Sequence, residues 1–354
     1  NGSADAPARF SPAAEPEAGV IHLSGEAGGE KLGFLEDSEV KSLLHAKYGM
    51  ALTVREAGSI EMVDGGFRGG LDFLWPSSGT ALQLFQERHE RLAQKSEIIF
   101  NSPFVLYSWD IIVDALIKIG ILKKEENIYY IYDLCKLVDL VFEEKTWQEI
   151  GIPELYGKIS IVTTDPAISE SANAFAALLA IALQGNLPDE TTIEAHLPRI
   201  REFFTKQGYM ERSSGELFSQ FLRMGVGAYP IIAGYENQIL ELAATRPEVW
   251  QRVQGRIRIL YPLPTLWTSH PIIVINRNAL RLAQALRDPE LLRIAWERHG
   301  FRTELGDAPK ISEKLKEIGV LPQIRKTVPL PSWAVMRKIL ETLQPQAKRK
   351  EAMP

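Results

Sequence analysis

The chain has 354 residues, of which 45% are hydrophobic and 24% charged, and its formal net charge is −5. This length suffices for a packed core and suggests two domains. The composition argues against a nucleic acid as partner, because no long basic run precedes the last few residues. The longest apolar run, residues 174–183, is shorter than the roughly 18 residues that span a bilayer.

The two ends of the sequence differ from its body. Residues 1–19 are rich in Ala, Pro, Gly and Glu and predict a flexible linker, and residues 344–354 predict a flexible polar tail. The sequence begins at Asn1 rather than Met. Removal of an export signal or tether leaves such a start, as does a cloning scar.

The first hundred residues alternate between strand and helix patterns. Residues 20–24 alternate apolar and polar side chains and predict a strand. A helix is predicted over 38–49, with Asp37 or Ser38 as N-cap and Gly49 as its end. Further strands are predicted at 51–58, 71–79 and 97–109, and a helix at 80–94. This alternation predicts an α/β fold with a mostly parallel sheet, in which ligands bind where strands end and helices begin.

The second half repeats the alternation and ends in helices. A strand predicted over 158–166 precedes a helix at 172–185 that is apolar nearly all round and must be deeply buried. Another strand and helix are predicted within 227–244. The other helices are predicted at 110–122, 131–142, 192–208, 279–286, 289–300, 311–319 and 332–343.

Two strand-like segments, 98–108 and 257–275, are longer than the typical strand of about 5–6 residues. Both lengths are explained if each segment crosses from one domain to the other. We therefore predict two lobes with a cleft between them and a hinge of two strands. Lobe 1 would contain residues 20–105 and 265–343, and lobe 2 residues 106–264.

This arrangement resembles the type 2 periplasmic binding proteins, the solute receptors of ABC importers, and within them the sulfate-, molybdate- and iron-binding branch. In such proteins the second lobe opens with a strand that runs into a D-P-x-x-S-x-S-type turn, which here would be Asp165, Pro166, Ser169 and Ser171. The sequence departs from that branch at Ala172, where a glycine is common, and in its helical C-terminal extension. The segments that carry the resemblance are VIHLSGEAGGEKLGFLED, LDFLWPSSGTALQLF, EIIFNSPFVLYSWDIIVDAL, YGKISIVTTDPAISESANAFAALLA, GYENQI, YPLPTLWTSHPIIVI and AWERHGFR, within residues 20–305.

The resemblance implies an extracytoplasmic receptor, periplasmic or tethered as a lipoprotein, that is monomeric. It would close over a small molecule or ion, an oxyanion in the nearest branch, and deliver it to an ABC-type membrane permease. It implies no cofactor, no metal site and no catalytic residue.

Candidate ligand-binding residues of lobe 1 lie in turns after strands. Ser77, Ser78 and Gly79 follow the third strand and precede a helix, so hydroxyls and free helix amides suit an anion or a carbonyl. In the alternative interpretation, one of these serines is only an N-cap. The other candidates are Ser24, Gly25 and Glu26 in the glycine-rich first turn, and Ser59.

The corresponding turn of lobe 2 is rich in hydroxyls. It contains Thr163, Thr164, Asp165, Ser169 and Ser171. This set exceeds what one helix cap needs, although a capping turn fixed by a proline remains the alternative. The Asp side chain could instead brace the loop or pair with a cation.

Polar and aromatic residues border the predicted crossings. Tyr235, Glu236 and Asn237 follow an apolar strand and could hydrogen-bond a ligand, or they could simply start a helix. Tyr107 and Trp267 could line the cleft, or pack in the core or hinge.

The sequence has one cysteine and six histidines without metal-site spacing. Cys135 lies among apolar residues and is predicted to be a buried core thiol. His299 is interpreted as a structural group near a helix end, and His270 stays open.

Two alternatives to transport remain at this point. The first is an enzyme on the same scaffold, in which Asp165 and Glu236 would form a carboxylate pair. The second is a sensor that signals to a receptor. The charge of the ligand also stays open, because the hydroxyl-rich turns suit an anion whereas Glu26, Glu30, Glu236 and Asp165 suit a cation or an amine.

Overall fold

The structure is a computed structural model that describes residues 19–64, 69–89, 91–303, 313–321, 323–324 and 326–344. The predicted linker up to residue 18 and the predicted tail from residue 345 lie outside the described residues. So do the first residues of the helix predicted over 311–319. None of the described helices is long and apolar enough to cross a bilayer.

Strands form where β-branched and aromatic residues concentrate, and those predicted near residues 20, 51, 71, 97 and 231 are confirmed. The strands among the described residues are β1 (Ile21–Ala27), β2 (Met50–Glu56), β3 (Phe73–Trp75), β4 (Lys95–Trp109), β5 (Leu122–Glu125), β6 (Ile128–Ile131), β7 (Ile231–Tyr235), β8 (Ile257–Pro262), β9 (Thr265–Val274) and β10 (Thr327–Val328).

The helices of the described residues are α1 (Leu32–Glu36), α2 (Ser38–Tyr48), α3 (Ser59–Asp64), α4 (Gly79–His89), α5 (Asp110–Lys118), α6 (Leu134–Phe142), α7 (Glu170–Gln184), α8 (Leu197–Thr205), α9 (Ser214–Met224), α10 (Glu236–Thr245), α11 (Pro247–Val253), α12 (Leu280–Ala285), α13 (Pro289–Glu297), α14 (Glu313–Ile318) and α15 (Trp333–Leu343). The ends of α2 follow from its sequence. The Asp37 carboxylate accepts from the backbone amide of Glu39 at 2.8 Å, and Gly49 ends the helix with φ 62°.

Strand β4 is shared by two halves of the sheet. Its residues 95–103 pair antiparallel with β9, and its residues 104–109 pair antiparallel with β7 and β8. Strands β8 and β9 follow one another in the chain, so a second connection joins the two halves there. The α/β fold with a two-strand hinge, predicted from the long segments, is confirmed. Below, lobe 1 denotes the described parts of residues 19–103 and 265–303, and lobe 2 denotes residues 104–262.

The strand order is β2-β1-β3-β9-β4-β8-β6-β5, with β10 on β9 and β7 on β4. Strand β1 is parallel to both β2 and β3, and β6 is parallel to β8. The apolar core of lobe 1 packs against this sheet around Phe34, Trp75 and Phe100, whose rings contact one another edge-on or tilted. Helix α7 lies inside lobe 2, because every residue from Glu170 to Ile181 is buried, and its predicted deep burial is confirmed.

The strand predicted over 158–166 is wrong. This segment makes only isolated bridges, Lys158 to Thr146, Val162 to Ile232 and Thr164 to Glu211. The Gln207 side chain forms hydrogen bonds with backbone groups that would otherwise pair with a neighbouring strand. Its Nε2 donates to the Ile161 carbonyl at 2.8 Å, and its Oε1 accepts from the Thr163 backbone amide at 3.3 Å. The segment therefore runs beside β7 without becoming a strand.

The C-terminal segment, the described residues from 313 to 344, contacts both lobes. The sequence placed residues 265–343 in lobe 1, yet Val335, Met336 and Ile339 of α15 pack into the apolar core of lobe 2. The same helix also contacts lobe 1, because Arg337 forms an ion pair with Glu87 on α4 at 3.2 Å. The apolar face of α15 explains the difference, because it packs against α7 and α8 of lobe 2.

A buried ion pair joins the lobes at the hinge. Arg302 of lobe 1 donates from Nε and Nη2 to the two carboxylate oxygens of Glu236 in lobe 2, at 2.7 and 2.9 Å. Both side chains are fully buried. Tyr261 donates to the same carboxylate at 2.5 Å, and Arg302 also donates to the Leu321 carbonyl of the C-terminal segment at 2.7 Å. The pair thus ties lobe 1, lobe 2 and the C-terminal segment together.

The predicted burial of Cys135 is only partly met, because this residue is half-buried. The buried face of α6 consists of Leu134, Leu137, Val138 and Val141, and Cys135 lies beside that face. Burial, with the nearby Asp133 carboxylate, still raises the pKa of its thiol.

Removing one partner of the hinge pair should destabilise the protein strongly. We expect Arg302→Met to lower the free energy of unfolding by about 3–5 kcal/mol, because it leaves the Glu236 carboxylate buried without a cation. The measurement is urea denaturation. Arg293→Met, which removes an exposed partner of Glu297, serves as the control and should cost about 1 kcal/mol or less. Equal effects of the two variants would contradict this role.

Candidate functional site

The first turn of lobe 1 buries two charged side chains. After β1 the chain makes a short 3-10 turn, Gly29–Lys31, in which Glu30 and Lys31 are both buried. The Lys31 ammonium is ion-paired with the Glu30 carboxylate and lies 3.2 Å from Ser77 Oγ and 3.3 Å from His270 Nδ1. Gly28 permits this packing, because a Cβ there would overlap the Ser77 hydroxyl.

Serine hydroxyls connect this turn to the ends of neighbouring strands. Ser77, after β3, donates to Glu30 Oε1 at 2.6 Å, and its backbone amide donates to Ser59 Oγ at 2.9 Å. Ser78 Oγ accepts from the backbone amides of Thr80 and Ala81 at 3.1 and 3.4 Å, so Ser78 caps α4 as the alternative interpretation proposed.

The electrostatics of these groups follow from their burial. Burial opposes ionisation of Glu30, but the Lys31 ammonium and the contact with His270 outweigh it and hold the pKa of Glu30 well below its usual range. Burial lowers the pKa of Lys31, and the Glu30 carboxylate offsets part of this effect. Burial and the Lys31 charge lower the pKa of His270 to about 4, so its ring is neutral at pH 7.

The hydroxyl-rich turn of lobe 2 is held together by its own side chains. Thr164 Oγ1 and Ser171 Oγ lie 2.6 Å apart, and Ser169 Oγ lies 3.1 Å from Ser171 Oγ. Asp165 accepts from the Ala167 backbone amide at 2.8 Å and so braces the loop. Thr163 is fully buried, with its hydroxyl donating to the Thr164 carbonyl.

This turn docks directly onto lobe 1. The Ile168 carbonyl accepts from the backbone amides of Ile60 and Glu61, at 3.2 and 3.4 Å, at the start of α3. Gly58 makes the approach possible, since a Cβ at that position would clash with the Ile168 carbonyl. In a second contact between the lobes, Asn237 Nδ2 of lobe 2 donates a hydrogen bond to the Glu30 backbone carbonyl of lobe 1, at 3.4 Å. The two lobes are therefore closed upon one another.

Several buried polar atoms where the lobes meet have no hydrogen-bond partner. They are both carboxylate oxygens of Glu170, Oδ1 of Asn173, the Tyr235 hydroxyl and Nε2 of His270. Each of these residues is at most 2% exposed. The rings of Tyr235 and His270 contact edge-on, with centroids 5.7 Å apart.

Glu170 faces lobe 1 across the interface. Burial raises the pKa of its carboxyl group to about 8, and the Ser78 and Thr80 hydroxyls of lobe 1 offset only part of this rise. Burial likewise raises the pKa of the Tyr235 phenol, with the charges of Glu30 and Glu170 adding to it. We call the whole set the interlobe cluster: Glu30, Lys31, Ser59, Ser77, Ser78, Thr80 and His270 from lobe 1, and Glu170, Asn173 and Tyr235 from lobe 2.

Other predicted site residues have partners outside this cluster. The Ser24 amide donates to Asp72 at 2.8 Å, Gly25 packs against the Phe73 ring, and Glu26 is ion-paired with Arg55. These three candidates lie along β1, ahead of the turn that reaches the cluster.

The aromatic candidates and Glu236 also have their hydrogen-bond partners within the protein. Tyr107 is buried in the core of lobe 2 and donates to the Tyr235 carbonyl. Trp267 donates to Asn101 at 3.2 Å and lines a separate groove together with Gly79. The carboxylate pair of Asp165 and Glu236 is not formed, because Glu236 is held by Arg302 while Asp165 braces its own loop.

Sequence reasoning missed Lys31, Thr80, Glu170 and Asn173 as site residues. Glu170 stands in the first turn of a helix, where an acidic residue is ordinary because of the helix dipole. The available signal was the helix itself, since a carboxylate at the start of a helix that must be buried all round has to face a partner or a ligand.

A groove of about 580 Å³ borders the cluster and has Glu30 in its wall. Its charged lining is mainly acidic, with Glu30, Glu56, Glu211, Glu216 and Glu241 against Arg223 and Arg246. Within the residues that the structure describes, no group of three or more His, Cys, Asp and Glu side chains could hold a metal ion.

Comparison by sequence finds no relative, since no protein-family model matches the chain. The search of curated proteins found no match either.

Solved structures nevertheless match over nearly the whole chain. The sulfate-binding protein of Mycobacterium tuberculosis aligns with a TM-score of 0.54 and 15% identity, over 89% of this chain and 96% of its own. The substrate-binding protein of an ABC transporter from Agrobacterium tumefaciens gives 0.56 and 13%, over 95% and 93% of the two chains. A periplasmic thiamin-binding protein gives 0.64 and 9%, over 94% and 98%. The chain therefore has the two-lobed α/β fold of the type 2 periplasmic binding proteins.

Proposed function

We propose that the chain is an extracytoplasmic solute receptor that closes over a small ligand and delivers it to an ABC-type permease. The observation that carries this proposal is the set of unpartnered buried polar atoms at the interlobe cluster. His270 Nε2 comes from lobe 1, whereas the Tyr235 hydroxyl and the Glu170 carboxylate come from lobe 2.

Each buried polar atom without a partner destabilises a protein by about 1–3 kcal/mol. A ligand that supplies the missing hydrogen bonds removes this cost. Because the unpartnered atoms belong to both lobes, the ligand would make its full set of contacts only when the lobes are together. Its binding would therefore favour the closed arrangement, which a permease can recognise by shape.

A receptor fits this site better than an enzyme does. The Ser77 hydroxyl donates a hydrogen bond to the Glu30 carboxylate, which is already ion-paired with Lys31. Because this ion pair occupies Glu30, no free base activates Ser77 as a nucleophile. The ABC-transporter, sulfate-binding and thiamin-binding structures with the same fold are binding proteins, which supports the same role and the same extracytoplasmic location here.

The direct test is native mass spectrometry of the gently purified protein. We expect a small-molecule adduct that disappears once the protein has been unfolded and refolded. Small-angle scattering should then show a larger radius of gyration for the refolded, ligand-free protein, and returning the released compound should reduce it. A protein without an adduct, whose radius stays the same after refolding, would argue against a closing receptor.

Tyr235→Phe separates binding from stability. The variant removes a buried hydroxyl that lacks a partner, so we expect the ligand-free protein to unfold at an equal or higher urea concentration. Calorimetric titration with the compound identified above should show binding weakened about three- to a hundredfold, because the ligand loses one hydrogen bond.

Tyr48→Phe is the matched control, since the Tyr48 hydroxyl is bonded to Asp288 within lobe 1. It should lower stability by about 1 kcal/mol and leave binding unchanged. If Tyr235→Phe behaves as this control does, the Tyr235 hydroxyl is no part of the binding site.

Gly58→Ala tests closure through a steric change. The added methyl group would clash with the Ile168 carbonyl, which has to move away from α3. With the released compound present, we expect a larger radius of gyration than that of the wild type, together with weaker binding. Gly255→Ala adds the same methyl group where no atom lies within 4 Å and should change neither property. A wild-type radius in Gly58→Ala would show that this contact does not hold the lobes together.

A further inference from the structure

One acidic group of the interlobe cluster has no counter-charge within the protein. Glu30 and Lys31 neutralise one another as a buried ion pair. His270 is neutral, because burial beside Lys31 lowers its pKa to about 4. Glu170 remains as a carboxyl group whose two oxygens have no hydrogen-bond partner.

We propose that the ligand is a small organic cation whose ammonium group lies against the Glu170 carboxylate. This inference rests on the proposed function, since it names the class of solute that the closed lobes would hold. One uncompensated carboxylate matches one positive charge, so the closed complex would carry no net buried charge.

The hydrogen-bonding capacity of the unpartnered atoms supports a ligand that donates. The Asn173 Oδ1 atom can only accept, as can both oxygens of an ionised Glu170. The Tyr235 hydroxyl can accept as well as donate. An ammonium group has donors and no acceptor, which makes it complementary to this set.

The same geometry disfavours an anion. Glu30 and Glu170 both lie close enough to the Tyr235 phenol to raise its pKa in addition to burial, so an anion beside Tyr235 would face two carboxylates. Lys31 could attract an anion, but its ammonium is already directed at Glu30, Ser77 and His270. The proposed cation therefore differs from the oxyanion ligand that the resemblance to the sulfate-, molybdate- and iron-binding branch implies.

The groove beside the cluster is lined mainly by acidic side chains, which would attract a cationic ligand. Five glutamates and two arginines line it, and Glu30 belongs to both the groove and the cluster. An acidic wall raises the local concentration of cations and speeds their association. A cationic solute would therefore be drawn along the groove towards Glu170.

The pKa of Glu170 also favours a cationic ligand. Burial raises this pKa to about 8 when the lobes are closed without a ligand. The groups that face the carboxyl group are the Ser78 and Thr80 hydroxyls and the Tyr235 phenol, none of which carries a positive charge. An ammonium group favours the carboxylate and lowers this pKa, so a cation allows Glu170 to stay ionised when the lobes close.

The experiment uses the full chain after unfolding and refolding to remove any trapped ligand. Ethanolamine and tyramine are the cationic probes, and sulfate, phosphate and molybdate are the anionic ones. Isothermal titration at about pH 7 gives the affinity of each probe. We expect at least one cationic probe to bind, and no anion to bind.

Glu170→Gln keeps the size of the side chain and removes its charge. We expect it to weaken binding of that cationic probe about ten- to a hundredfold. Its urea midpoint should equal or exceed that of the wild type, which shows that the fold is intact. Glu125→Gln removes one exposed carboxylate elsewhere in lobe 2 and should leave the affinity unchanged.

The outcomes separate this inference from the proposed function. If an anionic probe binds and reduces the radius of gyration, the receptor function stands and the cation inference is wrong. The inference is also wrong if Glu170→Gln binds the cationic probe as tightly as the wild type does. If no probe of either sign binds and no adduct is found in the purified protein, both proposals are wrong.

Discussion

The arrangement of this protein depends on burying charged and polar side chains between two lobes. Burial in a medium of low dielectric constant penalises a charge unless a partner compensates it. The protein supplies that partner at two places, where Lys31 faces Glu30 and where Arg302 faces Glu236. It supplies none for Glu170, and the pKa of that carboxyl group rises to about 8 as a result. This difference separates the two structural ion pairs from the carboxyl group that we propose as the ligand's partner.

The Arg302–Glu236 pair and the uncompensated Glu170 lie in different parts of the molecule. The Arg302 pair lies at the hinge and also binds the carbonyl of Leu321, so it ties the C-terminal segment to the two lobes. Helix α15 strengthens this link, because it packs on the core of lobe 2 and pairs with α4 of lobe 1. The interlobe cluster lies instead where the turns after β3 and before α7 meet.

The fold by itself does not choose the ligand. Structures with this architecture bind solutes as different as sulfate and thiamin, and the identities of 9–15% leave the binding side chains free to vary. This chain shares the two-lobed frame, while in our proposal Glu170, Tyr235 and Asn173 set the chemistry of the site. Their oxygens have no hydrogen-bond partner within the protein, so the proposed solute is rich in donors rather than an oxyanion.

Most local elements and the two-lobed architecture could be predicted from the sequence. Periodicity predicted most of the strands and helices, and the excess length of two segments predicted the two connections between the lobes, because such patterns depend on near neighbours and on chain length. It also placed Ser59, Ser77, Ser78 and Tyr235 at strand ends. The failures have a common physical origin. The segment before Asp165 has a strand-like pattern, but the amide of Gln207, more than forty residues away, takes its backbone groups. Glu170 looked like an ordinary first-turn acid, and only the packing of α7 against lobe 1 decided that its carboxylate would be buried without a cation. Burial, pairing and charge balance depend on residues far apart in the chain, so the tertiary structure alone could decide them.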